Sequence, residues 1–183
     1  MSKVKRLVSS YGKYIAIPWR ADAAAAQRVI FCVYNESDEL RIRSKIDEFE
    51  IATKQNNHNW ALFDLTDSFA HWLNIYNCSQ SYFKKPNLLA TIYPKYLEHI
   101  IASFDHFLAE HQTDETYVVA IKGVGSLFGF LKVKEVVEKL APMVSGRLLV
   151  FFPGSYENNN YRLLDGYDGW NYLAVPITAN KDI

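Results

Sequence analysis

Four short apolar segments, rich in β-branched and aromatic residues, alternate with amphipathic segments along this chain. Residues 28–34, 60–65, 116–121 and 147–152 are nearly continuous apolar runs, which is typical of parallel strands buried on both faces. The segments between them place apolar residues three and four positions apart, which indicates helices. This alternation predicts an α/β fold, with helices on both faces of a mostly parallel sheet and right-handed crossovers.

The clearest helical pattern covers about residues 94–111. Its apolar positions follow the i, i+3, i+4, i+7 spacing of an amphipathic helix. They are Leu97, Ile100, Ile101, Phe104, Phe107 and Leu108. Weaker patterns predict helices over residues 4–15, 69–76 and 126–140.

One further helix is predicted around Ile42, Ile46 and Phe49, which fall on one face. The stretch 78–86 is polar and is predicted to be irregular.

The length of 183 residues suits one well-buried domain. The element order predicts a single-domain, three-layer α/β fold that is Rossmann-like or degenerate P-loop-like. It has about four parallel strands plus a C-terminal antiparallel pair, at 161–164 and 171–175. We divide the chain into an N-terminal helical segment (1–20), a single α/β domain (21–178) and a tail (179–183).

Charge and composition exclude several classes of protein. Lys plus Arg and Asp plus Glu both number 20, so the basic excess that supplies most nucleic-acid affinity is missing, and we expect no independent nucleic-acid binding. No apolar run is long enough to span a bilayer, and no signal peptide is visible. The two cysteines, Cys32 and Cys78, form no CxxC pair. We therefore expect a cytoplasmic protein without membrane contact.

The stretch from Gly123 to Ser126 follows the third predicted strand, where nucleotide-binding proteins place phosphate loops. A Walker A loop needs Lys and then Ser or Thr after its last glycine, but Phe130 and Leu131 occupy those positions. A dinucleotide loop needs a third glycine where Phe128 stands. We therefore expect no cofactor, and interpret the glycines as a sharp strand-to-helix turn with Ser126 as the helix cap.

Other candidate catalytic groups are isolated. Asp64 lies near the carboxyl end of the second strand, where catalytic acids are common, but a capping or solvated role is favoured because no partner group is near in sequence. His99 and His106 are seven residues apart, which does not match a metal motif. We predict no catalytic residue and no metal ligand, and expect that the chain is not an enzyme.

One alternative stays open at the strand tips. Gly123, Gly125, Ser126 and Asp64, together with Gly154 and Tyr156, could surround a small anion or nucleotide at a helix N-terminus. This alternative makes the protein a ligand-binding α/β protein instead of an interaction module.

The C-terminal third carries a more specific pattern. The run IKGVGSLFGFLKVKEVVEKLAP is followed by a strand ending in Phe-x-Pro-Gly-x-Tyr, a short Arg/Leu-Leu strand and a last aromatic segment. The positions concerned are Gly123, Gly125, Ser126, Phe130, Leu131, Phe151, Pro153, Gly154, Tyr156, Leu163, Leu164 and Tyr172. This pattern resembles the BrxB family of BREX (bacteriophage exclusion) defence systems over about residues 115–177. The resemblance is fainter over residues 29–49 and 60–65. The chain departs from it at Gly129, where Pro is usual, and at Lys132, where Arg is usual.

The resemblance implies a non-enzymatic component of an anti-phage complex. It implies a PglZ-like, phosphatase-fold partner, and contact with other BREX components. Aromatic residues near the C-terminus could anchor such a partner, although about half of them are expected to be core residues. The partner-binding residues that we predict are Tyr156, Arg162, Trp170 and Tyr172, and Tyr161 and Tyr167 are also predicted to be exposed.

Overall fold

The computed structural model describes residues 2–75, 79–166 and 169–179. Its strands are β1 (Val29–Tyr34), β2 (Asn59–Asp64), β3 (Tyr117–Lys122), β4 (Arg147–Glu157), β5 (Asn160–Leu163) and β6 (Val175–Thr178). Its α-helices are α1 (Lys3–Ile15), α2 (Glu39–Arg43), α3 (Ile46–Gln55), α4 (Ser68–Ile75), α5 (Ser79–Lys84), α6 (Tyr93–Glu110) and α7 (Val133–Leu140). No helix in these ranges has the length and apolar character needed to cross a membrane.

Five strands form a parallel sheet in the order β2-β3-β4-β1-β6, and β5 pairs antiparallel with the outer end of β4. The inner strands β1, β3 and β4 are almost entirely buried, as their continuous apolar runs predict. The predicted class, a single α/β domain around a mostly parallel sheet, is confirmed.

Helices cover both faces of the sheet. One face carries α1, α2 and α3, which bury residues such as Tyr11, Ile42 and Phe49. The other carries α4, α6 and α7, whose buried residues include Trp72 and Phe104. The chain crosses from β1 to the far edge at β2 and then returns through β3 to β4. Right-handed crossovers in opposite directions place their helices on opposite faces, which produces the three layers.

The predicted N-terminal helix is α1, and its inner face belongs to the core. The Ser2 side chain accepts a hydrogen bond from the Lys5 amide and caps the helix. The buried hydroxyls of Tyr11 and Thr53 are 2.6 Å apart and join α1 to α3. Burial raises the pKa of Tyr11, so this hydroxyl stays neutral and able to donate a hydrogen bond.

Three helix predictions need correction. The helix predicted around Ile42 and Phe49 is two helices, because the chain turns at Ser44 and Lys45. The stretch predicted to be irregular contains α5. The helix predicted over 126–140 begins only at residue 133.

The late start of α7 has a local cause. Gly129 has a φ of +82° and Lys132 is extended, so the chain between them cannot continue a helix. A single 3₁₀ turn, Val124–Leu127, follows β3 instead.

The C-terminal strands also differ from the predicted pair. Strand β4 continues beyond residue 152 and forms a hairpin with β5, through Asn158 and Asn159. Both asparagines have positive φ, as the two central residues of a type I′ turn require. The second predicted strand, at 171–175, is wrong: the chain forms β6 slightly later, parallel to β1. It fills the edge position that β1 would otherwise leave open.

Candidate functional site

The turn after β3 packs directly on the turn after β2. Gly123 is left-handed, with a φ of +81°, and a Cβ atom there would lie 2.5 Å from the Thr66 amide nitrogen. At Gly125 a Cβ would meet Pro153 at 3.3 Å. The two glycines therefore allow this turn to approach the Thr66 turn and strand β4 closely, which accounts for their presence without a bound phosphate.

Ser126 was predicted to cap α7, and this prediction is wrong, because that helix starts seven residues later. Its hydroxyl lies 2.8 Å from the carbonyl oxygen of Leu65 and 2.7 Å from that of Gly123, and it donates its proton to one of them. The Ser126 amide also donates to the Gly123 carbonyl. The polar groups of Ser126 thus hold the two turns together.

Asp64 is engaged on both carboxylate oxygens. One oxygen accepts a hydrogen bond from the Thr66 amide at 2.9 Å, and the other lies 3.1 Å from the Lys122 ammonium. Partial burial opposes ionisation, but the hydrogen bonds of Thr66 and the charge of Lys122 outweigh it and lower the pKa of Asp64. Asp64 is therefore an ionised turn-stabilising group. It does not cap a helix, because its oxygen accepts from Thr66 and α4 begins only at Ser68.

Of the residues in the predicted strand-tip site, Asp64, Gly123 and Ser126 come together around Leu65 and Thr66. Gly154 and Tyr156 instead line a different cavity, of about 750 Å³, at the carboxyl ends of β1, β4 and β6. Asn35, Asp38, Ser155 and Thr178 are among its other lining residues.

This cavity lies where the sheet topology favours ligand binding. Strands β1 and β4 are neighbours, and the chain leaves their carboxyl ends in opposite directions, toward β2 and toward β6. Such a switch point forms a crevice in open α/β sheets. The sequence did not reveal it, because the neighbour relation of β1 and β4 depends on the order of strands.

Two of the groups beside this cavity, Asp38 and Tyr34, are already paired. Asp38, only 8% exposed, accepts a hydrogen bond from Arg41 at 3.2 Å. The Tyr34 hydroxyl donates to Glu39 at 2.5 Å, and burial raises its pKa. Apart from Lys3 and Glu157, the other polar lining is neutral amide and hydroxyl, which suits hydrogen bonding. Across residues 2–75, 79–166 and 169–179, no three His, Cys, Asp or Glu side chains could hold a metal ion.

Tyr161 is a core residue, so its predicted exposure is wrong. Its side chain is fully buried and packs on Phe31, with ring centroids 4.6 Å apart. Its hydroxyl donates to the Ala174 carbonyl oxygen at 3.1 Å. Tyr161 lies on the inward side of β5, where strand alternation places it. Tyr167 is outside the described residues.

The four predicted partner-binding residues lie around this buried ring. Tyr156, Trp170 and Tyr172 are half-buried, and they pack on the core next to Tyr161. Arg162, the next residue on β5, is exposed. Its side chain runs beside Gly169, where a Cβ atom would lie 3.7 Å from the Arg162 Nε.

An aromatic groove, which the sequence did not predict, lies beside Trp170. It has a volume of about 370 Å³, and Phe128, Phe130, Leu131, Leu163 and Trp170 form its apolar wall. Phe128 is 47% exposed, which is unusual for so large a ring. The left-handed Gly129 turns the chain here, and Lys132 also lines the groove.

Together, the fold and its surfaces define an α/β domain with internally paired strand-tip groups and an open aromatic groove. The model of the family described as BREX protein BrxB matches residues 70–176, more than half of the chain, and the chain belongs to this family. It is thus a component of a BREX defence system. Neither the comparison with curated proteins nor that with solved structures found a match.

The matched region begins earlier than the strong resemblance at residues 115–177, but it does not include residues 29–49 and 60–65, where the sequence shows a fainter one. It contains most of α4 and all of α5, α6 and α7, as well as β3, β4 and β5. Both the glycine turn and the whole aromatic groove therefore lie within it.

Proposed function

We propose that this protein is a non-enzymatic interaction component of a BREX assembly and binds a PglZ-like, phosphatase-fold partner. The observation that carries the proposal is the aromatic groove, which is open to solvent and lies inside the family-matched region. A contiguous exposed apolar patch commonly marks a contact surface, and Phe128, Phe130 and Trp170 lie together in this groove. Contact with further BREX components is part of the same proposal.

The chemistry of the groove suits a protein partner. Aromatic side chains supply large contact area and are enriched at binding hot spots. Lys132 lines the groove, and the exposed Arg162 lies on β5 next to Leu163 of its wall. These cations complement a partner segment that carries an apolar anchor flanked by acidic residues.

The strand tips support the non-enzymatic part of the proposal. A catalytic acid or nucleophile needs a group that is free to exchange a proton with a substrate. The Asp64 carboxylate is held by Lys122 and Thr66, and the Ser126 hydroxyl is held by a carbonyl oxygen. These pairings explain the presence of Asp64 and Ser126 through turn stability.

Co-elution of the full-length chain with the PglZ-like protein of the same system tests the partnership. Phe128→Glu places a charge in the groove and is expected to weaken binding at least about tenfold, as loss of a hot-spot residue does. Leu40→Glu is the matched control, because Leu40 is 80% exposed on α2, on the opposite face and outside the matched region. It should bind as the unmodified chain does.

Two results would contradict this proposal. One is failure of the two folded proteins to co-elute, and the other is equal binding by Phe128→Glu and Leu40→Glu. Plating of phage on cells that carry the complete system tests the non-enzymatic part. Asp64→Asn and Ser126→Ala should retain protection, whereas a catalytic role would require that at least one of them abolish it.

The ligand-binding alternative has its own measurement. If the Gly123–Ser126 turn bound a nucleotide, ATP, GTP or NAD would raise the melting temperature of the isolated chain. We expect no such rise, since the amide and hydroxyl of Ser126 already have partners.

A further inference from the structure

Arg147 is a buried cation at the amino edge of the sheet, opposite the strand tips. It begins β4 and is only 6% exposed. Its guanidinium carbon lies 4.7 Å from the centroid of the Trp19 ring, in cation–π geometry. The Trp19 ring in turn stacks on His58, with centroids 3.7 Å apart and planes within 7°. The guanidinium is therefore held in place by an aromatic stack.

No anion neutralises this guanidinium within the described part of the chain. Its hydrogen bond goes to the neighbouring carbonyl oxygen of Gly146, at a long 3.3 Å, and no described carboxylate forms an ion pair with it. The acid nearest in sequence to Trp19 is Asp22, and it pairs with Arg20. A buried charge without a counter-charge is unfavourable, so a site of this kind favours an added anion.

Arg28 increases the positive charge at the same edge. Its guanidinium donates to the Ser145 carbonyl oxygen at 2.9 Å, while its Nε is buried without a hydrogen-bond partner. Burial and the charge of Arg28 lower the pKa of Arg147, although an arginine remains ionised at neutral pH. Two cations thus lie at the same edge of the sheet, and neither forms an ion pair with a carboxylate of the described residues.

A pocket opens onto this cation. It has a volume of about 300 Å³, and its lining includes Tyr14, Trp19, Gln27, Arg147 and Leu173. Ile17 and Val175 add apolar surface. Ile17 and Leu173 are also 52% and 77% exposed, so the apolar wall is accessible from outside.

We propose that this pocket binds an oxyanion, either phosphate or carboxylate, carried on a small apolar or aromatic body. The planar guanidinium offers two parallel N–H donors to an oxyanion. The walls formed by Trp19, Tyr14 and Leu173 contact the body that carries the charge. The site is at the opposite end of the sheet from the aromatic groove, so either proposal can fail without the other.

Thermal shift of the full chain at constant ionic strength tests this site, with inorganic phosphate, phenyl phosphate and benzoate as probes and sodium chloride as reference. We expect at least one oxyanion to raise the melting temperature, and phenyl phosphate or benzoate to act at lower concentration than inorganic phosphate. Comparison of phenyl phosphate with benzoate identifies which oxyanion is preferred.

Two variants, Arg147→Met and Arg147→Lys, distinguish oxyanion binding in this pocket from a general effect of salt on the melting temperature. Arg147→Met should abolish the shift, and it should be at least as stable as the unmodified chain without anion, because it removes an unpaired buried charge. Arg147→Lys keeps the charge but loses the planar fork, and should need at least about tenfold more probe. Arg162→Met, at an exposed arginine, should shift like the unmodified chain.

The proposal is overturned if no oxyanion stabilises the unmodified chain more than chloride does. It is also overturned if both Arg147 variants shift as much as Arg162→Met. If Arg147→Met does not fold, the comparison of Arg147→Lys with Arg162→Met decides.

Discussion

The ammonium of Lys122 lies 3.1 Å from the carboxylate of Asp64, across the last register pair of the parallel strands β2 and β3. Because the folded state lowers the pKa of Asp64, this pair stabilises the protein above the ordinary carboxyl pKa of about 4. The stabilisation is lost as the pH falls through the lower, folded pKa. The pair is partly exposed, so its contribution is about 0.5–1 kcal/mol.

Asp64→Asn should therefore lower the free energy of unfolding by that small amount at pH 7. The asparagine oxygen can still accept the Thr66 amide, so the change isolates the ion pair. Urea unfolding from pH 7 to pH 3 should show the difference from the unmodified chain shrinking below about pH 4. Asp67→Asn, at an exposed carboxylate in the same turn, is the control. A difference that stays constant across this range would contradict the ion-pair interpretation.

Gly123 and Gly129 form a matched pair for backbone strain. Both have left-handed φ, +81° and +82°, but a Cβ at Gly123 would meet the Thr66 backbone at 2.5 Å, while one at Gly129 would meet nothing within 4 Å. Gly129→Ala should cost about 1 kcal/mol, the penalty for a left-handed L-residue. Gly123→Ala should cost at least about twice as much, because the Thr66 turn must also move. Equal losses of unfolding free energy, measured with urea, would show that the Gly123 turn is not tightly packed on the Thr66 turn.

The layered core follows from sequence patterns that are local. The apolar runs at β1, β3 and β4 are buried on both sides by helices, so the composition of each run already indicates its environment. The amphipathic spacing of α6 likewise predicts the buried positions Ile100 and Phe104.

What the sequence did not predict depends on contacts between distant segments. The cavity at the switch point exists because β4 and β6 flank β1, which no short stretch encodes. The burial of Tyr161 depends on β5 pairing with the end of β4 on one side, and on an antiparallel bridge from Tyr161 to Trp170 on the other. The late start of α7 is different, because its cause is local. Gly129 disfavours a helix, but the 3.6-residue periodicity of the residues on either side of it still predicted one.

Cys32 should be unreactive in the native protein. It lies fully buried in β1, and burial raises the pKa of its thiol, so little thiolate is present. We expect labelling by an aromatic disulfide reagent only at the rate of unfolding, measured in a Cys78→Ser background because Cys78 lies outside the described residues. As a control, the variant that carries both Cys78→Ser and Asp67→Cys has a cysteine at an exposed position, which should react within seconds to minutes. Rapid labelling of Cys32 would show that the sheet opens locally.

Tyr161 and Arg162 are neighbours on β5, one fully buried and the other exposed. Substitutions at these two positions therefore distinguish an effect on stability from an effect on partner binding. Tyr161→Phe removes the buried hydrogen bond to Ala174 and leaves its carbonyl oxygen without that donor, so it should lower the free energy of unfolding by about 1–2 kcal/mol. Tyr156→Phe is the control, since that hydroxyl bonds to Asn159 at the surface and its loss should cost less than about 0.5 kcal/mol.

Arg162→Ala should show the opposite behaviour to Tyr161→Phe. Its stability should stay within about 0.5 kcal/mol, because the side chain is exposed. Binding of the proposed PglZ-like partner should weaken, because one charge on β5 next to Leu163 of the groove is lost. The loss should fall mainly on the association rate and should diminish at high salt, which surface plasmon resonance at two salt concentrations can measure. If Arg162→Ala bound normally at low salt, the partner would contact a surface other than the one beside β5. If Tyr161→Phe weakened binding without loss of stability, its hydroxyl would act in binding and not only in the buried hydrogen bond to Ala174.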